Sequence, residues 1–310
     1  MSTFEIIVDS SSDMTKSLRQ RFGINHVIHG VVYPPNGSQM LADIDWETMS
    51  PEEYYKSMQG RKILYKTATP SVGETTEVFE SVLKSGKDIL SISLSSGISG
   101  TYQLVANVGK DLAKKYPERK IICVDSLRYS SATALLITKA SEKRDSGATI
   151  EETADYLNSI KNSIHQMGPL DDLFFCVKTG RISNFKAFFG TLVGVNSFAD
   201  FSNKGISAVI GKVKGKRQAF ETTLKYIEKT IKNPEEQIIF VAHSNREESA
   251  NLLAEKIREK FKPKEVIINP IGMSCGSSIG PGLYAAYYLG DPISDGEVTE
   301  REIMKDITKK

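Results

Sequence analysis

Short apolar runs alternate with longer amphipathic stretches through the first half of the chain. The runs have the length and composition of buried strands, whereas the stretches between them repeat apolar residues at helical spacing. Strands are predicted at Phe4–Val8, Val27–Tyr33, Asp88–Leu94 and Lys120–Val124. Because strands that alternate with helices form mostly parallel sheets flanked by helices, the pattern predicts an α/β domain over residues 1–160.

The order of the predicted elements changes beyond residue 160. Strand-like runs follow one another there with few helices between them. The predicted strands are Leu173–Val177, Val195–Phe201, Gly205–Val213, Ile238–Ala242 and Val266–Asn269. The predicted helices are Asn184–Leu192, Lys216–Lys232 and Arg246–Phe261. This order is typical of a mixed or antiparallel sheet, and it predicts a second α/β domain over residues 161–290 and a charged C-terminal tail over residues 291–310.

Composition and charge exclude several classes of protein. The 310 residues are 40% hydrophobic and 25% charged, which is typical of globular proteins. The formal net charge is +2, so neither nucleic acid nor a membrane surface is a favoured partner. A basic stretch from Lys204 to Arg217 is the local exception, either a solvated face or a dock for an acidic protein. We find no apolar run of ~18 residues and no signal peptide, and three widely spaced cysteines are typical of a reduced protein, so we expect a cytoplasmic location.

Small hydroxyl residues and glycines follow the predicted strand Asp88–Leu94 directly. The segment Ser95–Gln103 has the sequence SSGISGTYQ and opens a helix, which gathers hydroxyls and backbone N–H groups at one point. Such a point binds anions. Since no Lys or Arg occurs between Leu94 and Lys110, a carboxylate fits it better than a polyphosphate.

Other loops at strand ends have the same composition. They are Asp9–Asp13, Thr67–Ser71 and Asp125-Ser126, the last followed by Ser130-Ser131. Each alone is typical of a helix cap or turn, but the loops beyond the carboxyl ends of parallel strands converge on one crevice. Together they predict a ligand site. The segment Cys275–Gly282 is either a further ligand loop or a structural turn.

Known catalytic and metal-binding motifs do not occur in this sequence. The four histidines, His26, His29, His165 and His243, are not part of a catalytic triad motif, and there is no dinucleotide fingerprint or Walker loop. Binding is therefore favoured over catalysis. Two alternatives stay open: a transferase or hydrolase that acts on a phosphate- or carboxylate-bearing small molecule, and an interaction module in which the loops are caps. Arg181 is either a donor to a carboxylate or phosphate, or one half of a surface ion pair.

Seven elements of the sequence resemble the DegV family over residues 4–288. In order, they are Asp9-Ser10, Thr67-x-x-Pro70-Ser71, Ser95–Tyr102, Val124-Asp125-Ser126, Gly180–Ser183, Gly215-Lys216-Arg217 and Gly280-Pro281-Gly282. The resemblance implies a two-domain α/β fold that buries a long-chain fatty acid, such as palmitate, in an apolar tunnel. It implies no catalytic residue and no cofactor besides the bound fatty acid.

The same resemblance implies a role for individual residues. Thr67 and Ser99 would hold the carboxylate, with Ser96 close by. Ser278 occupies the position at which many members have a histidine, two residues before Gly-Pro-Gly, and by analogy it joins this site. Some members carry the acyl group for bacterial fatty acid kinase and present it to a separate ATP-dependent subunit. Arg181 would lie near the mouth where that subunit docks.

Overall fold

The computed structural model describes residues 4–61, 63–184 and 194–309. Two compact units divide the chain. The first contains Met1–Thr48, Tyr65–Lys161 and Gly272–Ser274, and the second contains Met49–Leu64, Asn162–Ile271 and Cys275–Lys310. Each unit thus combines segments that are far apart in the sequence. The helix predicted at Asn184–Leu192 lies almost wholly outside the described residues.

Strands and helices alternate in the first part of the chain. In chain order they are β1 (Phe4–Asp9), α1 (Lys16–Arg21), β2 (His26–Ile28), β3 (Val31–Tyr33), β4 (Met40–Leu41), α2 (Pro51–Ser57), β5 (Lys66–Ala68), α3 (Val72–Lys84), β6 (Asp88–Ser93), α4 (Thr101–Lys115), β7 (Ile121–Asp125), α5 (Ser131–Asp145) and α6 (Ile150–Ile160). Of these elements, α2 belongs to the second unit.

The later elements follow from residue 164. They are β8 (Ile164–Met167), β9 (Pro169–Leu170), α7 (Phe174–Thr179), β10 (Ile182–Ser183), β11 (Val195–Phe201), β12 (Ser207–Lys214), α8 (Lys216–Thr230), β13 (Ile238–His243), α9 (Glu247–Phe261), β14 (Glu265–Pro270), α10 (Met273–Ile279), β15 (Tyr284–Leu289) and α11 (Val298–Thr308).

A parallel four-stranded sheet forms the centre of the first unit, with the strand order β2-β1-β6-β7. All six residues of β1 are buried, as expected for a central strand that helices cover on both faces. On one face, apolar side chains of α3 and α4, such as Phe79 and Val105, pack with Ile7 and Ile89 of the sheet. The parallel sheet flanked by helices that the sequence predicts is confirmed.

The predicted strand Val27–Tyr33 is two strands in the structure. Gly30 separates β2, which belongs to the parallel sheet, from β3, which pairs antiparallel with β4 and β5 in a small second sheet. The carbonyl oxygen of Ala68 lies 3.1 Å from the position that a Cβ on Gly30 would occupy, so a side chain there would crowd β5. The predicted strand therefore spans a change of sheet at His29 and Gly30.

Two four-stranded sheets form the second unit. One has the order β14-β13-β15-β8 and mixes parallel and antiparallel pairs, and the other has the order β10-β12-β11-β9. Helices α8, α9 and α11 supply buried residues such as Tyr226, Leu253 and Met304 to a core shared with Val241 and Phe198. The predicted mixed or antiparallel second domain is confirmed at the level of fold class.

Helix α7 contradicts the predicted strand Leu173–Val177. The Oδ1 of Asp172 accepts a hydrogen bond from the N–H of Phe174 at 2.9 Å, as at a helix start. Gly180 ends the helix in the left-handed region with φ 71°, and the N–H of Arg181 donates to the carbonyl of Cys176 at 3.0 Å. A short apolar run fits either a strand or a buried helix, and in this case the flanking Asp and Gly indicate the helix.

The C-terminal residues differ from the expected charged tail. Helix α11 buries Met304 in the core of the second unit, and Ile303 and Ile307 pack against the same core. These apolar residues recur at helical spacing and give α11 an apolar face, although most of its other residues are polar or charged. The segment is thus a charge-rich helix whose apolar face is buried, and charge content alone does not indicate that face.

Candidate functional site

Ser95 is the residue to which the loop after β6 is hydrogen-bonded, and its side chain is fully buried. The N–H of Ser95 donates to the carbonyl of Arg128 at 3.0 Å. Its Oγ accepts from the N–H of Gly97 at 3.1 Å, and its carbonyl accepts from the N–H of Ser99 at 3.2 Å. Ser95 thus fixes the conformation of the four residues that follow it.

Several amides of this loop already have acceptors inside the first unit. The N–H of Ser96 donates to Asp125 Oδ1 at 3.1 Å, and the N–H of Thr101 donates to Ser99 Oγ at 3.3 Å. The sequence predicted that amides and hydroxyls together would bind an anion. Of the two predicted site residues in this loop, Ser96 is exposed, and Ser99 is half-buried with its Oγ 2.9 Å from Thr101 Oγ1.

Thr67 lies in the middle of β5 and pairs with Val32 of β3. It is exposed, as are its two neighbours in the strand. Two residues farther along, the methyl group of Thr69 lies 3.8 Å from the position that a Cβ on Gly100 would occupy. The segment that carries Thr67 therefore approaches the loop that carries Ser99.

Helix α3 anchors the segment Thr67–Ser71 at its far end. The Oγ of Ser71 accepts from the N–H of Glu74 at 3.0 Å and caps the helix. The carboxylate of Glu74 accepts from the N–H of His29 at 2.8 Å, and its Oε1 lies 3.1 Å from the Nδ1 of His29. These contacts tie the start of α3 to the chain between β2 and β3, which is also where Gly30 donates to Ser10 Oγ at 3.0 Å.

Two buried carboxyl groups lie at the end of β1 and in the loop that follows, Asp9 and Asp13, and sequence reasoning gave neither a specific role. Asp9 accepts from the N–H of Ser11 at 2.9 Å, from the Ser11 hydroxyl, and from the N–H of Leu94 at 2.7 Å. Asp13 accepts from the N–H of Gly272 at 2.9 Å and from the Ser130 hydroxyl. The signal in the sequence was an Asp as the last residue of a buried strand.

Burial dominates the electrostatics of these two groups. Loss of hydration raises the pKa of Asp9, against the opposing effect of hydrogen bonds from Ser11 and Leu94. Burial likewise raises the pKa of Asp13 to about 7, against hydrogen bonds from Ser130 and Gly272, and the charge of Asp9 adds to the rise. Near neutral pH, Asp13 is thus partly protonated.

Ser278 belongs to the second unit and is half-buried in α10. The structure makes Met273–Ile279 a helix, and the turn expected over Cys275–Gly282 begins only after it. Gly276 lets this helix lie against α2, because a Cβ there would be 2.4 Å from the hydroxyl of Tyr55. That hydroxyl donates to the carbonyl of Ile271 at 2.6 Å.

Arg181 also belongs to the second unit, just beyond the end of α7. Its side chain is exposed, and its guanidinium donates to the carbonyl of Thr179. Of the predicted site residues, Thr67, Ser96 and Ser99 therefore lie in the first unit, and Ser278 and Arg181 lie in the second.

In the second unit, the buried side chain of His165 pairs with the carboxylate of Asp200 and has a structural role. His165 Nδ1 lies 2.6 Å from Asp200 Oδ2, and its Nε2 lies 2.8 Å from the carbonyl of Asp291. The hydroxyl of Tyr226 donates to the same carboxylate oxygen at 3.0 Å, and the His165 ring stacks on Tyr288 with centroids 5.6 Å apart. Because His165 and Asp200 are at most 1% exposed, this network ties strands and helices together and offers no surface to a substrate.

Within residues 4–61, 63–184 and 194–309, no group of three or more His, Cys, Asp or Glu residues is arranged to hold a metal ion. Among the same residues, no helix is both long enough and apolar enough to cross a bilayer. The three cysteines are free thiols, and burial raises the pKa of Cys123 and of Cys176 to about 12.

Comparison with known proteins gives one family over nearly the whole chain. Residues 3–291 match the sequence model of the DegV family, which is described as an uncharacterised protein family. A DegV domain-containing protein of Clostridium perfringens is 32% identical over 94% of this chain and 99% of its own length.

Solved structures of the same family have similar folds. A DegV lipid-binding protein of Thermotoga maritima superposes with a TM-score of 0.78 at 25% identity, over 94% of this chain and 99% of that one. DegV of Bacillus subtilis, described as a fatty acid-binding protein, superposes with a TM-score of 0.79 at 24% identity, over 94% and 100% of the two chains.

Proposed function

This chain belongs to the DegV family, and on that basis we propose that it binds one long-chain fatty acid such as palmitate. The hydroxyls of Thr67 and Ser99 would hold the carboxylate, with Ser96 beside them, and the acyl chain would lie in an apolar tunnel of the second domain. The observation that carries the proposal is the conformation of the loop Ser95–Thr101, in which the N–H groups of Ser96, Gly97 and Thr101 already have acceptors. The Ser96 hydroxyl is exposed, and the half-buried Ser99 hydroxyl, which accepts from Thr101, would donate its own proton to a ligand. The lipid-binding description of the Thermotoga maritima relative supports it.

Hydroxyl groups suit a fatty carboxylate better than they suit a phosphate. A carboxylate carries one charge and accepts a few hydrogen bonds, so two or three hydroxyl donors satisfy it, whereas phosphate sites usually add Arg or Lys. The stretch from Ser95 to Gly109 contains neither Arg nor Lys. The acyl chain would supply most of the affinity, since burying ~14 methylenes at ~0.8 kcal/mol each gives on the order of 11 kcal/mol before the cost of association.

The role of Ser278 follows from the same magnitudes. A charge-assisted hydrogen bond contributes ~1.5–3 kcal/mol, so a serine in place of the histidine of many family members would leave fatty acid binding in place. A reaction at the carboxylate depends more strongly on the charge and geometry around it. We therefore propose a lipid-binding protein without catalytic activity of its own, with Arg181 near the mouth at which a kinase subunit would dock.

Mass spectrometry of the denatured, purified protein tests the proposal. We expect one equivalent of a long-chain fatty acid to be released, and we expect the delipidated protein to take up palmitate. Absence of a co-purifying fatty acid together with no palmitate uptake would refute the proposal. Turnover of acyl or phosphoryl esters by the protein alone would favour a transferase or hydrolase instead.

A further inference from the structure

A buried carboxylate supports the loop of Ser96 and Ser99 from behind. Asp9 is 4% exposed and is the last residue of β1, the strand next to β6 in the parallel sheet. Residue pairing between these strands ends at Val8 and Ile92. Beyond this pair, the side chain of Asp9, in place of a backbone carbonyl of β1, accepts a hydrogen bond from the N–H of Leu94 at 2.7 Å.

The position of Leu94 makes this bond decisive for the loop. Leu94 directly precedes Ser95, and Ser95 holds the N–H groups of Gly97 and Ser99 at 3.1 and 3.2 Å. Two hydrogen bonds, joined by the peptide bond between Leu94 and Ser95, thus connect the Asp9 carboxylate to Ser99, whose hydroxyl would hold the ligand. The Asp9 carboxylate also accepts from the N–H and the hydroxyl of Ser11, in the loop that follows β1, and these bonds fix the orientation of the carboxylate.

We infer that Asp9 is a positioning residue for carboxylate recognition: it sets the geometry of the Ser95–Gly100 loop without touching the fatty acid. The inference rests on the proposed fatty acid function. It also assigns a different task to Asp13, whose carboxyl group accepts from the hydroxyl of Ser130 and the N–H of Gly272.

Asp9→Asn removes the feature on which the inference depends. The carboxamide has one acceptor oxygen, whereas Asp9 accepts on one oxygen from Ser11 and on the other from Leu94. The new NH₂ group would therefore face an N–H donor, either that of Leu94 or that of Ser11. Asp13→Asn is the matched control, because an amide can donate to the Ser130 hydroxyl and accept from Gly272.

Two ligands with the same tail separate positioning from a general loss of structure. Palmitate and 1-hexadecanol share a sixteen-carbon chain, but only palmitate carries a carboxylate. We expect Asp9→Asn to weaken palmitate binding about tenfold or more, which corresponds to about 1.4 kcal/mol, and to change hexadecanol binding far less. Asp13→Asn should leave the ratio of the two dissociation constants at its wild-type value.

Other results would overturn the inference. Equal losses for both ligands would mean a general structural role for Asp9, and unchanged palmitate binding would mean that the loop does not need the Leu94 bond. If Asp9→Asn does not fold, Asp9→Glu decides by the same ratio, because it keeps the charge and displaces the carboxylate by one methylene. Failure of the wild-type protein to bind either ligand would refute the proposed function itself. This outcome is distinguishable from failure of the Asp9 inference, which only the variants reveal.

Discussion

The double variant Thr67→Ala with Ser99→Ala removes the two hydroxyls that we propose to hold the carboxylate. Thr67 is exposed in β5, so its loss should barely change the free energy of unfolding. Ser99 Oγ accepts from the N–H of Thr101 at 3.3 Å, and loss of such a hydrogen bond costs about 0.5–1.5 kcal/mol. We therefore expect a folded protein that is destabilised by about 1 kcal/mol.

The effect on binding should be much larger than the effect on stability. Each charge-assisted hydrogen bond contributes ~1.5–3 kcal/mol, so loss of two should weaken palmitate binding by roughly 10²–10⁴-fold. Binding should remain detectable, because burial of the acyl chain contributes on the order of 11 kcal/mol.

Isothermal titration calorimetry with delipidated protein gives the affinity, and urea unfolding gives the stability. Thr149→Ala is the matched control: Thr149 caps α6 by accepting from the N–H of Glu152 at 3.2 Å, away from the candidate loops. It should cost about 1 kcal/mol of stability and leave palmitate affinity unchanged. Wild-type affinity in the double variant would show that the carboxylate binds elsewhere.

Three further predictions concern Ser278, Gly280 and Asp13. Ser278→His should tighten palmitate binding or allow acyl phosphate formation with a fatty acid kinase subunit, and no change in titration or phosphorylation assays would remove Ser278 from the carboxylate site. Gly280→Ala should lower the melting temperature well beyond Gly147→Ala, because both have positive φ but only at Gly280 would a Cβ lie 2.1 Å from Phe175; equal shifts would contradict this. The folded-state pKa of Asp13, about 7, exceeds its unfolded value, so the contribution of Asp13 to the free energy of unfolding should fall as pH rises from about 4 through 7. Urea unfolding should show a smaller fall over this range in Asp13→Asn than in the wild type. Identical pH profiles of the two proteins would refute this prediction.

The sequence predicted best those helices and strands whose pattern of apolar and polar residues fits only one type of secondary structure. The strand Val195–Phe201 has the predicted bounds, and α9 begins one residue later than predicted and ends at Phe261 as expected. Long amphipathic segments and strands with clear alternation leave little freedom. Leu173–Val177 failed because an apolar run of five residues has no measurable period, and its neighbours Asp172 and Gly180 decided the outcome.

The residues of the candidate site stay predictions, and the hydrogen bonds that position their loops could not be predicted from the sequence. Hydroxyl-rich loops at strand ends are visible in one sequence. The bond from Leu94 to Asp9 spans 85 positions, and the bond from Gly272 to Asp13 spans 259, so only the folded chain reveals them. The basic stretch is spread along β12, because Lys204 lies in the turn at one end of the strand and Lys214 at the other, roughly 25 Å apart, and both are exposed.

Each unit contains segments that are far apart in the sequence, and this limits where the chain can be divided into stable fragments. A fragment that ends at residue 160 would lack Gly272, whose N–H satisfies the buried carboxyl of Asp13. A fragment that starts at residue 161 would lack Tyr55, whose hydroxyl satisfies the carbonyl of Ile271. During synthesis, the first unit therefore stays incomplete until the ribosome has passed residue 274, and separately expressed halves should be less stable than the same segments in the intact chain.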